Sequence, residues 1–257
     1  MSSTKVVILA GGRGTRLSEE THAVPKPMVR IGGRPILWHV MQHYASAGFT
    51  DFVVACGYRG YVIKEYFTNY FRHESDVTVD LALGKTQVLS PCAEDWSVTL
   101  IDTGLDTMTG GRLRRLAPYL QERFLMTYGD GLSNVPIEAV IRHHEANDAL
   151  ATVTAVSPPA RFGVLELSGG LVRRFAEKPI DTGSRINGGF FVLEPEVLDL
   201  LADDTTVFEA GPLTALATSG RLAAYEHDGF WMPMDTVRDR DQLNALAQQE
   251  TPPWVSA

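Results

Sequence analysis

The sequence predicts an α/β protein, a doubly wound and mostly parallel Rossmann-like sheet with a smaller mixed β/α portion on its C-terminal side. Three observations predict it. Apolar residues alternate along the chain between strand-like and helix-like periods, the rhythm of a parallel sheet covered by helices on both faces. Three chemically loaded segments, Gly11–Leu17 (GGRGTRL), Gly129–Gly131 (GDG) and Met234–Thr236 (MDT), adjoin predicted strand ends or a helix start, where open α/β sheets bind ligands. Finally, 257 residues with 44% hydrophobic and 21% charged side chains have the composition of an ordinary globular domain.

The elements follow in order. Val6–Leu9 is a short β-branched run and reads as the first, buried strand. Pro35–Ala47 sets Ile36, Leu37, Val40, Met41 and Tyr44 on one face, with Pro35 at its start and Gly48 beyond its end, so a helix is predicted. Asp51–Ala55 is a second strand and Tyr61–Phe71 a second helix. Val77–Leu83, with one polar face, and Ser97–Asp102 are further strands, and Asp102–Arg112 is a glycine-rich connection long enough to suggest function. Phe124–Tyr128, a helix over about Pro136–Ala146 and Ala151–Ala155 close this set.

From Gly163 the links shorten. Gly163–Leu167, Leu171–Ala176 and Arg185–Leu193 read as strands, Pro195–Leu201 and Gly211–Ser219 as helices, Arg221–Tyr225 as a strand and about Thr236–Gln249 as the last helix. The expectation is a single domain of residues 1–257, with a core of about 1–160 and the mixed portion over about 161–257.

Charge and composition exclude several classes. A net charge of −8 argues against nucleic-acid and anionic-membrane partners. Residues 1–35 nevertheless carry six bases (Lys5, Arg13, Arg16, Lys26, Arg30, Arg34) against Glu19 and Glu20, a local basic field suited to a small polyanion. The run after Lys5 is too short for a signal peptide, and no apolar stretch approaches the roughly 20 residues of a membrane span. Cys56 and Cys92 are too few for a disulfide framework, so a cytoplasmic setting is expected.

The glycine loop fits neither the dinucleotide fingerprint nor the Walker A pattern. What it offers is backbone N–H groups free of Cβ bulk, with Arg13 and Arg16 able to meet phosphate oxygens. Lys26 sits between Pro25 and Pro27, which restrain it. Asp130 and Asp235 could share a magnesium ion. Glu177, Lys178 and Asn187 offer acceptors, a cation and an amide to a phosphorylated sugar. Each feature alone also has a plainer reading: a tight turn, a turn aspartate, a helix N-cap that Thr236 could equally provide. His143 and His144 read as surface residues of a helix, and Phe230 with Trp231 as a packing pair.

Together, LAGGRGTRL, PKPM, YGDG, FAEKP, INGGFFV and PMDT, in this order and nearly end to end, resemble the sugar-1-phosphate nucleotidyltransferases. The resemblance implies their nucleotide-diphospho-sugar transferase fold and assigns roles. Gly11, Gly12, Arg13, Gly14, Thr15 and Arg16 would hold a nucleoside triphosphate, with Lys26 near its α-phosphate. Arg16, Lys26 and Asp130 would be catalytic, and Asp130 and Asp235 would bind Mg²⁺. Thr103, Gly104, Gly111 and Arg112 would lie by the base, and Tyr128, Glu177, Lys178, Asn187 and Gly188 on the sugar phosphate. LSEET, PILWH, CGYRGYVIKEYF, MTGGR, RFG and GFWMPMDT resemble the branch that joins CTP to glucose 1-phosphate to make CDP-glucose. Ser18 stands where many thymidylyl- and uridylyl-transferring members carry proline. The resemblance further implies a homo-oligomer, with a hexamer among the states to test. UTP or dTTP as donor, another sugar phosphate as acceptor, and a non-catalytic binding protein on the same scaffold stay open at this point.

Overall fold

The computed structural model describes residues 4–14, 24–90, 94–158, 164–168, 171–176 and 185–255. In chain order the first half comprises β1 (Val6–Leu9), β2 (Arg30–Ile31), β3 (Arg34–Pro35), α1 (Ile36–Ser46), β4 (Asp51–Cys56), α2 (Gly60–Glu74), β5 (Val77–Asp80), β6 (Lys85–Val88), β7 (Ser97–Asp102), α3 (Thr109–Leu116) and β8 (Phe124–Tyr128). There follow β9 (Gly131–Ser133), α4 (Ile137–Ala146), β10 (Ala151–Val156), β11 (Val164–Ser168), β12 (Leu171–Ala176), β13 (Ile186–Leu193), α5 (Gly211–Thr218), β14 (Leu222–His227), β15 (Trp231–Pro233) and α6 (Val237–Ala247).

Seven strands form the central sheet in the order β14-β10-β13-β8-β1-β4-β7. β1 runs parallel to both β4 and β8, β4 to β7 and β10 to β14. β13 alone is reversed, pairing antiparallel with β8 and β10. The sheet therefore takes strands from both sides of residue 160; β13 and β14 are built into it, while β11 and β12 form a separate hairpin. β1 is buried on both faces, as a central parallel strand must be. Val6 and Ile8 pack with α1, α2, α4 and α6 on one face, and Val7 and Leu9 with α3 and α5 on the other. Among the described residues no helix is long and apolar enough to cross a membrane.

Three sequence expectations need correction. Residues 77–83 do not form one strand: the chain turns back after Asp80, whose Oδ1 accepts the Ala82 and Leu83 amides at 3.0 and 2.9 Å, and Gly84 takes a φ of +62°. This aspartate turn closes the β5–β6 hairpin outside the central sheet and leaves Leu81 and Leu83 exposed. The connection 102–112 ends in helix, since α3 begins at Thr109. Gly110 and Gly111 are poor helix formers, but a Cβ on either would approach the Thr206 or Asp204 backbone to 2.8 Å or less, so tertiary contact with this segment overrides propensity.

The third correction concerns His144, read as a surface residue. It is 1% exposed; its ring nitrogens lie 2.8 Å from Thr152 Oγ1 and 3.1 Å from a Glu194 carboxylate oxygen. Burial holds His39, His43, His144 and His227 below the ordinary histidine value, His43 down to about 4. The unfolded chain binds these protons more readily, so stability present above pH 6.5 is lost as pH falls toward 4. His43 alone accounts for roughly 3 kcal/mol of this. Thermal melts between pH 7.5 and 4.5 are expected to show that decline, with a shallower slope in His43→Leu; equal slopes would mean that His43 does not carry it.

Candidate active site

The strands diverge in sequence at β1, with β4 on one side and β8 on the other, and the cleft opens at this switch point, beyond the carboxyl ends of both. Because β13 is antiparallel, with Phe190 opposite Thr127, its first residues lie at that same edge. A cleft of about 580 Å³ gathers there the glycine loop after β1, Lys26, Arg112, Tyr128, Asp130, Asn187, Gly188, Trp231 and Asp235.

Lys26 stands at its centre. Pro25 and Pro27 hold it in a single 3₁₀ turn, with the Met28 amide donating to the Pro25 carbonyl at 2.8 Å. Its ammonium, almost fully buried, lies 2.5 Å from Asp130 Oδ2 and 2.8 Å from Asp235 Oδ1. Burial pulls the Lys26 pKa down, but the two carboxylates outweigh it and the net direction is up. Asp235 is available for this contact because it is not the cap of α6. Thr236 takes that role in a reciprocal capping box with Asp239, whose carboxylate also accepts the Asp235 amide at 3.0 Å. The turn after β8 presents Asp130, and its carbonyl accepts the Met234 amide at 2.9 Å, tying the two aspartate segments together. Two carboxylates converging on one cationic atom form a donor set that also suits a hard divalent cation.

Arg112 is buried beneath the glycine loop. It donates to the Gly104 and Gly11 carbonyls at 2.8 and 3.1 Å and to Thr103 Oγ1 at 2.7 Å, with longer contacts to the Cys56 and Leu105 carbonyls. Burial pushes its pKa down, yet a guanidinium keeps its charge. Gly11 and Gly57 make room: a Cβ on either would come within 2.5 Å of Arg112 Nη1. Arg112 thus cross-braces the loop after β1 and the loop after β7, and Thr103 is buried under it, donating to the Cys56 carbonyl at 2.7 Å. Gly104 takes a φ of +86° in that second loop. Gly111 instead packs on Asp204, and exposed Arg13 of the glycine loop pairs with exposed Asp106 at 2.6 Å.

On the other side, the Tyr128 ring lies so close to Gly189 that a Cβ there would sit 2.6 Å from Cδ2. Asn187 Oδ1 accepts the Gly189 amide at 2.8 Å, and Trp231 Nε1 donates to the Gly188 carbonyl at 2.7 Å. Of the sequence-derived site residues, Thr15, Arg16, Glu177 and Lys178 lie outside the described residues.

A family model described as nucleotidyl transferase matches residues 5–232. The chain belongs to that family. Among its relatives, a glucose-1-phosphate cytidylyltransferase of Salmonella typhi is 55% identical over 252 residues, covering 97% of this chain and 98% of the relative. A probable glucose-1-phosphate cytidylyltransferase of Bacillus subtilis (strain 168) is 44% identical over the same share of each chain. The solved UDP-glucose pyrophosphorylase from Acinetobacter baumanii superposes with a TM-score of 0.70, covering 98% of this chain and 96% of that one at 16% identity; this likeness speaks for the fold alone.

This nucleotidyl transferase also carries cleft features that sequence reasoning missed. Trp231 lines the cleft as well as packing; Thr107, Met108 and Thr109, inside the 102–112 connection that the sequence already marks as functional, form its wall. Glu209 stands behind that wall, joining Thr109 to Tyr128. Nothing local marks Glu209, which falls in an irregular segment before α5. Trp231 had one signal, its place four residues before Asp235.

Proposed function

We propose that this nucleotidyl transferase moves the cytidylyl group of CTP onto α-D-glucose 1-phosphate, forming CDP-glucose and pyrophosphate, in a magnesium-dependent reaction. The observation that carries the chemistry is the Lys26 ammonium held between Asp130 and Asp235 in the cleft. The choice of base and sugar rests on the 55% identical relative, matched across 97% of this chain.

In this reading a phosphate oxygen of the sugar attacks the α-phosphorus in line, and the bond to the departing pyrophosphate oxygen breaks. The attacking oxygen is already ionised at neutral pH, so neither a protein nucleophile nor a strong base is needed. Bringing two polyanions together is the main barrier, and positioning with charge neutralisation answers it. Asp130 and Asp235 would hold the Mg²⁺, which supplies positive charge against the phosphate oxygens. Lys26 adds a second cation at the same place, near the α-phosphate. The Gly11–Gly14 backbone with Thr15 and Arg16 takes the triphosphate, and Arg13 adds a cation at the mouth. The loop of Thr103, Gly104, Gly111 and Arg112 meets the base, with Arg112 acting through the carbonyls it holds. Tyr128, Glu177, Lys178, Asn187 and Gly188 take the sugar phosphate. The whole of residues 1–257 acts as one domain, its sugar-phosphate side drawn mainly from about 161–257. Assembly as a homo-oligomer belongs to the same proposal; Leu81, Leu83 and Leu89, exposed on and beside the β5–β6 hairpin, are apolar surface that self-association would cover, and sedimentation tests it.

The deciding assay offers the protein Mg²⁺ and glucose 1-phosphate with CTP, UTP, dTTP, GTP or ATP in turn and measures pyrophosphate. Release with CTP well above the others is expected. Preference for UTP or dTTP would reassign the donor, and no release with any of the five would leave a binding protein.

A further inference from the structure

Glu209 is a carboxylate that the chemistry above does not use, yet both of its oxygens are engaged at the back of the cleft. Its Oε1 accepts the Tyr128 hydroxyl, and its Oε2 accepts the Thr109 hydroxyl at 2.5 Å. The two donors come from opposite walls: Tyr128 ends β8, and Thr109 opens α3. Both line the cleft, and Glu209 does not. The Tyr128 ring is wedged against Gly189 and meets Phe191 edge-on at 6.2 Å between centroids. The Phe208 amide donates to Thr109 Oγ1 at 3.0 Å, so the segment carrying Glu209 also grips the α3 start directly. Burial and the neighbouring carboxylate push the Tyr128 pKa up, which keeps its hydroxyl protonated as a donor.

We propose that Glu209 is a positioning residue that couples the sugar-phosphate side of the cleft to the nucleotide side, holding Tyr128 with one oxygen and Thr109 with the other. The proposal rests on the substrate reading given above. A carboxylate accepting two hydroxyls makes two charge-assisted hydrogen bonds, and its removal takes one tie from each wall at once, leaving Thr109 its contact with the Phe208 amide. Glutamine keeps the shape but has one acceptor oxygen, so it serves one wall better than the other.

The test is steady-state kinetics on the full chain with CTP and glucose 1-phosphate varied separately. Glu209→Ala is expected to raise KM for both substrates roughly five-fold, about the effect of one lost hydrogen bond on each side. Tyr128→Phe should raise KM for glucose 1-phosphate alone, and Thr109→Val KM for CTP alone, while Thr109→Ser keeps the wild-type value. Adding Tyr128→Phe to Glu209→Ala should raise neither KM further. Glu209→Gln, which guards against a misfolded alanine variant, should fall between Glu209→Ala and the wild type. If Glu209→Ala and Glu209→Gln melt at lower temperature but keep both KM values, Glu209 is a packing residue and the proposal is overturned. It is equally overturned if Tyr128→Phe and Thr109→Val shift the same KM. Wild-type protein that releases no pyrophosphate from this substrate pair would instead sink the substrate reading, and this coupling with it.

Discussion

Lys26→Ala is expected to lower turnover by something on the order of 10²-fold or more, the scale of losing one preorganised charge at a phosphoryl centre. The structure adds a second, separable effect. Lys26 is 8% exposed and its ammonium separates Asp130 from Asp235. Without it two carboxylates face one another in a partly water-excluded cleft, which destabilises the fold by roughly 2 kcal/mol; Asp130 is partly exposed, so solvent screens part of the repulsion. A divalent cation shared by the same carboxylates should restore that stability but not the turnover. Pyrophosphate release and thermal melts with and without Mg²⁺ read the two effects apart. Full activity in Lys26→Ala would remove Lys26 from the chemistry, and a melting temperature indifferent to Mg²⁺ would remove the two aspartates from metal binding.

Arg112→Ala is expected to have the largest effect on stability. It strips donors from the Gly11, Gly104 and Leu105 carbonyls and from Thr103 Oγ1. The Gly11 carbonyl keeps the Tyr58 amide and the Thr103 hydroxyl keeps its bond to the Cys56 carbonyl, so the unmet acceptors are mainly the Gly104 and Leu105 carbonyls, where water enters. At about 1–3 kcal/mol for a lost buried partner, a total loss of about 3 kcal/mol is expected. For a chain of this size that lowers Tm on the order of 10 °C. The loops after β1 and β7 lose their shared brace, and KM for CTP should rise on the order of ten-fold while turnover falls less. Arg112→Lys keeps the charge but lacks the planar fork that reaches several carbonyls at once, and is expected to stay impaired. Recovery to wild-type values with lysine would show that charge, and not bracing, is what Arg112 contributes.

Much of the fold was legible in the chain because its signals are local. The β-branched run Val6–Leu9, the apolar face of Ile36–Tyr44 closed by Gly48 with its φ of +85°, and the PKP frame act over a few residues, and the structure holds strand, helix and turn at those places. At Gly110–Gly111 and at His144 the outcome is decided by distant contact. Gly110 and Gly111 enter a helix because the Asp204–Thr206 backbone presses on them. His144 is buried because Thr152 and Glu194 meet it from other elements. Over residues 77–83 the failure is local: the alternating pattern masks the turn signal of Asp80.

The sequence by itself determined which chemistry is on offer: glycines in a strand-end loop, a lysine framed by prolines, and aspartates beside glycine and threonine. Those are local, covalent facts, and the order of the motifs was enough to suggest a family. Only the tertiary structure decided which of these groups meet. Asp130 and Asp235 are 105 positions apart in the chain, and a shared ammonium joins them because the β9–β15 pairing brings their segments together and Thr236 relieves Asp235 of capping. Arg112 became a brace by joining its near neighbours Thr103 and Gly104 to Gly11, 101 positions away, and Glu209 a link between two walls through residues 81 and 100 positions away. Such pairings follow from how strands and loops pack in three dimensions, and no periodicity along the chain encodes them.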